Sequence, residues 1–399
     1  MRNGFQRLKT RALVCIGLLV TAYGTGSHGQ VVAQADADAA IRHAKTFTVS
    51  QHDGYQVVDL KASIVSWGAG AKGPEQRARV VLVPRGKPAP ALTGDLDDAS
   101  VIEVPVQRIA VNLAAFEAML TALGVDERLV AVDGRRSYND EIRERVFAGE
   151  LAQIGYGWHS PPTLDALLGA KPELLLMSMG DLSHTAQMER IRSLGVPVIP
   201  LFIESEPHYM GRMEYIRLVG LLTGRDKQAR EFVAMVERNV ESLKTAAAAQ
   251  PTKDVISAWY SGSGRWMATV RNSGAALLRD ANARNLLQEP DDPLRDEIQK
   301  LGTEQMILRG RDADCAILRD SHSQPFRDQK TLEQFRAYRE GCVFGALGMI
   351  KADVDAYDFY ERAVIRPDLV LGDLVRMLHS ELRQDEPFRY IQPEEIASE

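Results

Sequence analysis

The sequence predicts an α/β protein with two parallel-sheet lobes joined by one long helix, preceded by a β-rich N-terminal extension. Short apolar runs alternate with amphipathic stretches over residues 106–224, and the same alternation returns over residues 251–399. Strands alternating with helices indicate βαβ units and therefore parallel sheets. Between the two regions, residues 225–250 carry a single apolar stripe, which predicts one long helix. A chain of 399 residues can bury two separate cores.

Residues 1–35 have the layout of a secretory signal peptide. The basic segment Arg2–Arg11 precedes an apolar run over residues 12–22, and small residues follow up to Ala33-Gln34-Ala35. The apolar run is too short to span a bilayer as a helix, which takes about 20 residues. Cys15 lies inside the run and not at its end, so we do not expect it to carry a lipid. We expect export, cleavage and a periplasmic location.

The charge of the chain argues against a polyanion ligand. The formal net charge is −6. Loss of residues 1–35 removes four cations and no acid, and the mature chain becomes more acidic still. Nucleic-acid binding rests on basic surfaces. We therefore expect no nucleic-acid partner.

Two cysteines, Cys315 and Cys342, remain after cleavage of the leader. An oxidising compartment would allow them to pair, and two free cysteines on buried strands are an equally open alternative. The sequence contains no CxxC motif and no Cys/His cluster, so a structural zinc site is not predicted.

The extension, residues 36–105, is predicted to be rich in β-structure and to be added to the first lobe. Its β-branched runs are separated by Gly, Pro and Asp, which mark turns. These runs are Tyr55–Leu60, Ala78–Val83 and Val101–Val106.

The first lobe, residues 106–224, alternates predicted strands and helices. The strands are Arg108–Asn112, Leu129–Val132, Leu174–Met177 and Val196–Leu201. The helices are Leu113–Leu123, a helix opening at Ser160, Thr185–Leu194 and Gly211–Thr223. Gly124 follows the first helix in the position that favours a left-handed cap.

The long helix is predicted over Asp226–Ala248, with Asp226 as N-cap and a length of about 34 Å. The second lobe, residues 251–399, then repeats the alternation. Its predicted strands are Val255–Tyr260, Cys315–Leu318 and Cys342–Phe344. Its predicted helices are Ser273–Ala281, Thr303–Arg309, Leu332–Glu340 and Pro367–Glu381.

Candidate ligand contacts follow from one rule, that a ligand between α/β lobes lies at the carboxyl ends of the strands. We expect contacts from loops that contain aromatic rings and arginines, which stack on flat ligands and bind carboxylates. A packing role in the core is the alternative for each residue. The candidates are Tyr138, Tyr156, Trp158, His159 and Met179 in the first lobe, and Trp259, Tyr260, Trp266 and Arg271 in the second.

No motif in the sequence predicts catalysis or a direct metal site. The histidines are scattered and show no HExxH spacing. The sequence has no GxSxG elbow and no Walker loop, and the segment Ser261-Gly-Ser-Gly264 lacks the lysine of a P-loop. We therefore expect a binding protein without catalytic residues, resident metal or cofactor.

Several segments of residues 105–382 resemble the periplasmic receptors for iron–siderophore, haem and cobalamin of ABC importers. The similar segments are Leu120-x-x-Leu-Gly124 with Leu129-Val-Ala-Val132, Thr163-Leu-Asp165 with Lys171-Pro-Glu-Leu-Leu-Leu176, Leu194-Gly-Val-Pro-Val198, Gly220-Leu-Leu-Thr-Gly224, and Arg366-Pro-Asp-Leu-Val-Leu-Gly-Asp-Leu374 with Leu378-His379. Their order and spacing carry the resemblance. The extension lies outside it.

The resemblance implies a rigid bridging helix and a largely preformed cleft that binds an iron or cobalt chelate. It also implies delivery to an ABC permease by a monomer, with Asp165 and Glu304 as the docking acid of each lobe. Three alternatives stay open. The cargo could be a free metal ion or an oxyanion, the same fold could serve a sensor or assembly protein, or an exported enzyme could have a site that the sequence does not reveal.

Overall fold

The computed structural model describes residues 40–65, 72–155, 162–269, 272–288 and 298–395. It confirms the predicted fold class, with an extension sheet and two α/β lobes, each built on its own sheet. No helix among the described residues combines the length and apolarity needed to cross a membrane.

The extension forms a four-stranded sheet in the order β1-β2-β3-β4. Its strands are β1 (Phe47–His52), β2 (Tyr55–Val65), β3 (Lys72–Pro84) and β4 (Ser100–Val104). The first three pair antiparallel, while β4 runs parallel to β3. The first two predicted runs lie within β2 and β3, and the third is a strand only as far as Val104. We did not predict β1, because most of its side chains are polar and its pairing with β2 determines its conformation.

The inner face of this sheet belongs to the core of the first lobe. Phe47, Leu60, Ile64 and Leu82 are buried in one continuous cluster with the first-lobe strands. The outer face has a small core of its own, formed by Val57, Val81, Val83 and Ala99. Burial of the inner face attaches the sheet to the lobe, while the outer core stabilises the sheet itself.

The first lobe contains a parallel sheet in the order β7-β6-β5-β8-β9. Its strands are β5 (Ile109–Val111), β6 (Leu129–Val132), β7 (Ala152–Gln153), β8 (Leu174–Ser178) and β9 (Val198–Leu201). Its helices are α1 (Ala114–Ala122), α2 (Asp140–Phe147), α3 (Leu164–Ala170), α4 (Ser183–Ser193) and α5 (Tyr209–Thr223). We did not predict β7 and α2, because both are short and carry few apolar residues.

The long helix α6 (Asp226–Ala248) has the predicted bounds. Its N-cap is Arg225, and Asp226 is its first residue, which corrects the predicted cap. The helix packs against α5 and against the last long helix, α12 (Pro367–Leu378), and so contacts both lobes. Gly220 allows the close approach of α5, since a Cβ there would lie 2.6 Å from the Cβ of Ala229.

The second lobe has a mixed sheet, which corrects the expectation of a purely parallel one. Strands β12 (Ala283–Asn285), β14 (Cys315–Arg319) and β15 (Val343–Gly345) extend its parallel part from β10 (Lys253–Gly262). Strands β11 (Arg265–Thr269), β13 (Ile298–Gly302) and β18 (Gln392–Pro393) pair antiparallel. The small hairpin of β16 (Ile350–Lys351) and β17 (Ala356–Tyr357) stands apart.

The glycine-rich segment after Tyr260 is a β-hairpin turn and not the open loop that we expected. Gly262, Ser263 and Gly264 have φ values of 91°, 53° and 71°, a left-handed conformation that glycine adopts without strain. The turn joins β10 to β11 and places Trp266 on a strand opposite Tyr260.

The remaining helices of the second lobe are short. They are α7 (Ser273–Asp280), α8 (Thr303–Gly310), α9 (Gln329–Leu332), α10 (Arg336–Arg339) and α11 (Arg362–Ile365). The predicted helix Leu332–Glu340 is therefore two separate turns, α9 and α10. Cys315 and Cys342 form a disulfide between β14 and the residue before β15. The bond links neighbouring strands of one sheet.

Candidate ligand-binding cleft

The order of the strands locates one switch point in each lobe. In the first sheet the chain leaves β5 toward β6 and later returns to the other side of β5 with β8. In the second sheet the chain runs from β10 through the β11 hairpin to β12, which pairs with β10, and it later returns to the other side of β10 with β14. Loops diverge at such points and leave a crevice beyond the carboxyl ends of the strands, where ligands of open α/β sheets bind.

The switch point of the first sheet is closed by its own polar groups. The backbone N–H of Ser178 donates to Oδ1 of Asn112 at 2.7 Å, and the Asn112 amide approaches the Ser178 carbonyl at 3.5 Å. Both residues are buried, and so is Met179. The expected contact from Met179 would therefore require this end of the lobe to rearrange.

The switch point of the second sheet opens into a cavity of about 290 Å³, which we call the cleft. Residues from the ends of β10 and β14 line it together with α5, α7, α11 and α12. Most of the lining is apolar. The aromatic and ionisable residues of the lining are Tyr209, Arg212, Trp259, Arg319, Asp320, Phe359 and Tyr360.

Two guanidinium groups line the cleft, each in an ion pair with a carboxylate. Arg319 forms an ion pair with Glu394 at 3.4 Å, and burial raises the pKa of that carboxyl although the arginine opposes the shift. Arg212 pairs with Glu204 at 2.6 Å and donates to the Ser273 hydroxyl at 3.3 Å. Its Nε is buried without a hydrogen-bond partner in the part of the chain that the structure describes. These arginines can offer N–H groups to an anionic ligand.

The two tyrosines of the cleft remain protonated phenols near neutral pH. The Tyr209 hydroxyl donates to Oδ2 of Asp280 at 2.6 Å, and burial raises the pKa of Tyr209 far above 10. Burial also raises the pKa of Tyr360. Their rings can stack on a flat ligand, whereas phenolate ligation of a metal would first require a costly ionisation.

The carboxylate of Asp320 is hydrogen-bonded to the backbone of its own loop. Its Oδ1 accepts hydrogen bonds from the N–H groups of His322 and Ser323 at 2.9 Å and 2.8 Å. The imidazole of His322 stacks on Tyr360 with a centroid separation of 4.9 Å. Asp320 thus holds the loop whose His322 packs on Tyr360, a ring of the cleft lining.

Of the expected contacts, Trp259 lines the cleft, while Trp266 does not. The Trp266 side chain is fully buried and packs on Tyr260 and Phe326, with centroid separations of 5.3 Å and 4.9 Å. Its Nε1 donates to the Thr303 hydroxyl at 3.3 Å. Trp266 is therefore a core residue and not a residue of the cleft lining. The Tyr260 hydroxyl accepts a hydrogen bond from the backbone N–H of Gly264 within the hairpin turn.

Tyr138 lies in a second cavity, between α1 and α11. Lys351 Nζ stands 4.5 Å from its ring centroid, and Arg362 stands 5.2 Å away. The ring is therefore occupied by the protein's own cations. Four further expected contacts, Tyr156, Trp158, His159 and Arg271, lie outside the described residues.

We did not predict Arg212, Arg319 or Tyr360 as ligand contacts. Arg319 directly follows the predicted strand Cys315–Leu318, so the carboxyl-end rule could have identified it. Arg212 and Tyr360 belong to helical segments that reach the cleft only through packing, and no local signal marks them.

The described residues include no group of three or more His, Cys, Asp or Glu side chains that could hold a metal ion. The expected docking acids, Asp165 and Glu304, are exposed in the first turns of α3 and α8.

Comparison with known proteins agrees with this architecture. A family model described as periplasmic binding protein matches residues 109–346. An uncharacterized lipoprotein of Methanocaldococcus jannaschii is 23% identical over 376 residues, covering 86% of this chain and 83% of the relative.

Two solved structures share the fold at low identity. A periplasmic haem-binding protein from Pseudomonas aeruginosa is 17% identical with a TM-score of 0.52, covering 69% of this chain and 93% of the other. The siderophore-binding protein BauB, bound to two acinetobactin molecules and ferric iron, is 17% identical with a TM-score of 0.51, covering 68% and 93%.

Proposed function

The chain belongs to the periplasmic binding protein family, and from this premise we propose that it captures an iron or corrin chelate in the cleft and delivers it to an ABC permease. The family consists of substrate-binding proteins that act in transport and not in catalysis. The observation that carries the cargo proposal is the lining of the cleft, where Trp259 and Tyr360 lie near two arginines, Arg212 and Arg319. The cargoes of two proteins with the same fold, haem and a ferric siderophore, support it.

Family membership indicates an extracytoplasmic location. We propose that the leader is cleaved after Ala35 on export, and that the mature chain acts as a monomer. The name of the Methanocaldococcus relative offers lipid attachment as the alternative. The intact mass of the exported protein distinguishes the two, because a cleaved chain would begin at Asp36 without added lipid mass.

Titration of the mature protein with ferric siderophores, haemin, cobalamin and free metal salts tests the cargo. We expect saturable quenching of tryptophan fluorescence by one chelate. In calorimetric titrations, Trp259→Ala and Arg319→Ala should each raise the Kd about tenfold, since each loses roughly 1.4 kcal/mol of contact energy. Arg311→Ala, at an exposed arginine of the same lobe, is the matched control and should leave the Kd unchanged.

The arginines also favour one rival cargo, an oxyanion without an organic ligand. Inorganic phosphate, sulfate and molybdate belong in the same titration. Saturable binding of one of them, with no response to any chelate, would contradict the chelate proposal and favour the oxyanion.

Docking on the permease is a separate part of the proposal. Asp165 and Glu304 have no ion pair among the described residues, so both carboxylates are available to arginines of a partner. Glu304→Gln should lower stimulation of the permease–ATPase complex in proteoliposomes about fivefold while the cargo Kd stays unchanged. Glu340→Gln, at another exposed acid of the second lobe, is the control. Equal stimulation by Glu304→Gln and the wild type would rule out this docking residue.

A further inference from the structure

One segment of the second lobe, residues 358–367, separates the cleft from the second cavity. Most of its apolar side chains line the cleft, and these are Phe359, Tyr360, Ala363, Val364 and Pro367. Its other side chains line the second cavity, of about 480 Å³, and these are Asp358, Glu361, Arg362, Ile365 and Arg366. A change in the second cavity that displaces this segment must therefore also change the wall of the cleft.

Two buried glutamates line the second cavity, one from each side of the seam between α1 and α11. Glu117 on α1 is 2% exposed, and its Oε2 has no hydrogen-bond partner among the described residues. Glu361 is 4% exposed, and its Oε1 accepts a hydrogen bond from the backbone N–H of Tyr138 at 2.7 Å. That bond joins the loop after β6 to the segment that forms the cleft wall.

The cations around this cavity are paired with other carboxylates. Lys351 binds Asp140 at 2.6 Å, Arg362 binds Asp358 at 2.8 Å, and Arg366 binds Asp368 at 2.9 Å. The other titratable or polar groups that face the seam are Asp133, Ser137 and Arg143 from the first lobe and Tyr390 from the second. Neither glutamate forms an ion pair of its own in the part of the chain described.

Burial without a paired cation favours the protonated form of both glutamates. Burial raises the pKa of Glu117 from 4.5 to about 7, against an opposing hydrogen bond from Ser137. Burial, and then repulsion from Glu117, raise the pKa of Glu361 well above its usual value. Because the pKa values of both glutamates are raised in the folded protein, their contribution to the packing of residues 358–367 against α1 is fully present below the ordinary pKa of a glutamate. This stabilising contribution is lost as the pH rises through about 7, the raised pKa of Glu117.

We propose that Glu117 and Glu361 form a proton-dependent latch that holds residues 358–367 against α1 and so couples proton binding to the shape of the cleft. Loss of the proton places negative charge in a buried seam, and the segment relaxes toward water. The consequence for cargo release rests on the proposed function, whereas the latch itself does not.

Hydrogen exchange by mass spectrometry on the full-length protein without cargo tests the latch. After correction for intrinsic exchange rates, we expect peptides covering residues 358–367 to lose protection about tenfold between about pH 5.5 and about pH 8.5. Glu117→Gln and Glu361→Gln, which mimic the protonated side chain, should each flatten this profile. Glu144→Gln, at an exposed acid on α2, should keep the profile of the wild type.

A flat profile in the wild type would overturn the latch even if a variant failed to fold. So would glutamine variants that keep the response of the wild type. Either result would leave the receptor proposal standing, because no cargo is present in the experiment. Conversely, a protein that binds none of the chelates could still show the latch.

Discussion

Replacing Trp266 by alanine should lower the free energy of unfolding by about 3–5 kcal/mol, the usual cost of deleting a fully buried large aromatic side chain. The indole is fully buried and is one of three rings packed together in the second-lobe core, with Tyr260 and Phe326. The substitution leaves a cavity, removes the hydrogen bond to Thr303, and weakens the hairpin of β10 and β11.

Denaturant unfolding followed by circular dichroism measures this loss. Trp259→Ala is the matched control, because Trp259 lines the cleft and is only partly buried. It should cost less than about 1.5 kcal/mol of stability and should act mainly on cargo affinity. If the Trp266→Ala variant were as stable as the wild type but no longer bound cargo, Trp266 would be a ligand contact and not a core residue.

Replacing Glu214 by alanine should lower the free energy of unfolding by about 4 kcal/mol, because three backbone N–H groups, one of them at the buried Ala44, lose a charged acceptor. Glu214 on α5 is fully buried, and it accepts hydrogen bonds from the backbone of Arg42, His43 and Ala44 at 2.6–2.8 Å. Glu206 continues the contact by accepting bonds from the backbone N–H groups of the next two residues. Two carboxylates thus hold five consecutive residues at the start of the extension.

The Glu214→Ala substitution should also destabilise the extension locally, in addition to lowering the free energy of global unfolding. Hydrogen exchange should increase in peptides covering residues 41–65 before it increases in the first-lobe sheet, because the extension is the element released. Glu231→Ala, at an exposed acid of α6, should change stability by less than about 0.5 kcal/mol. Unchanged protection of residues 41–65 in Glu214→Ala would show that hydrophobic burial of Phe47 and its neighbours suffices to hold the extension.

The repeating elements of the lobes could be predicted from the sequence because their signals are local. Helix α6 was predicted with its correct bounds, since its apolar stripe and the flanking Gly224 and Pro251 depend only on nearby residues. Four of the five parallel strands of the first lobe were predicted because buried strands read as continuous apolar runs, whereas β7 has only two residues and was not. The carboxyl-end rule led to Trp259 because it needs only the order of strands and loops.

Other features depend on residues far apart in the chain. Glycine-rich Ser261–Gly264 is compatible with an open loop or a hairpin turn, and the pairing of β11 with β13 decides between them. That pairing, together with Phe326, buries Trp266. Arg212 and Tyr360 reach the cleft only because α5 packs near the segment 358–367.

By itself, the sequence determined the α/β class, the two lobes and the bridging helix, because backbone periodicity follows from neighbouring residues. The tertiary structure alone decided which rings face a ligand and which carboxylates lose contact with water. Glu361 meets Tyr138 across 223 residues, and Glu214 meets Arg42 across 172. Burial and pKa depend on such distant neighbours, since desolvation is a property of the packed environment and not of the residue.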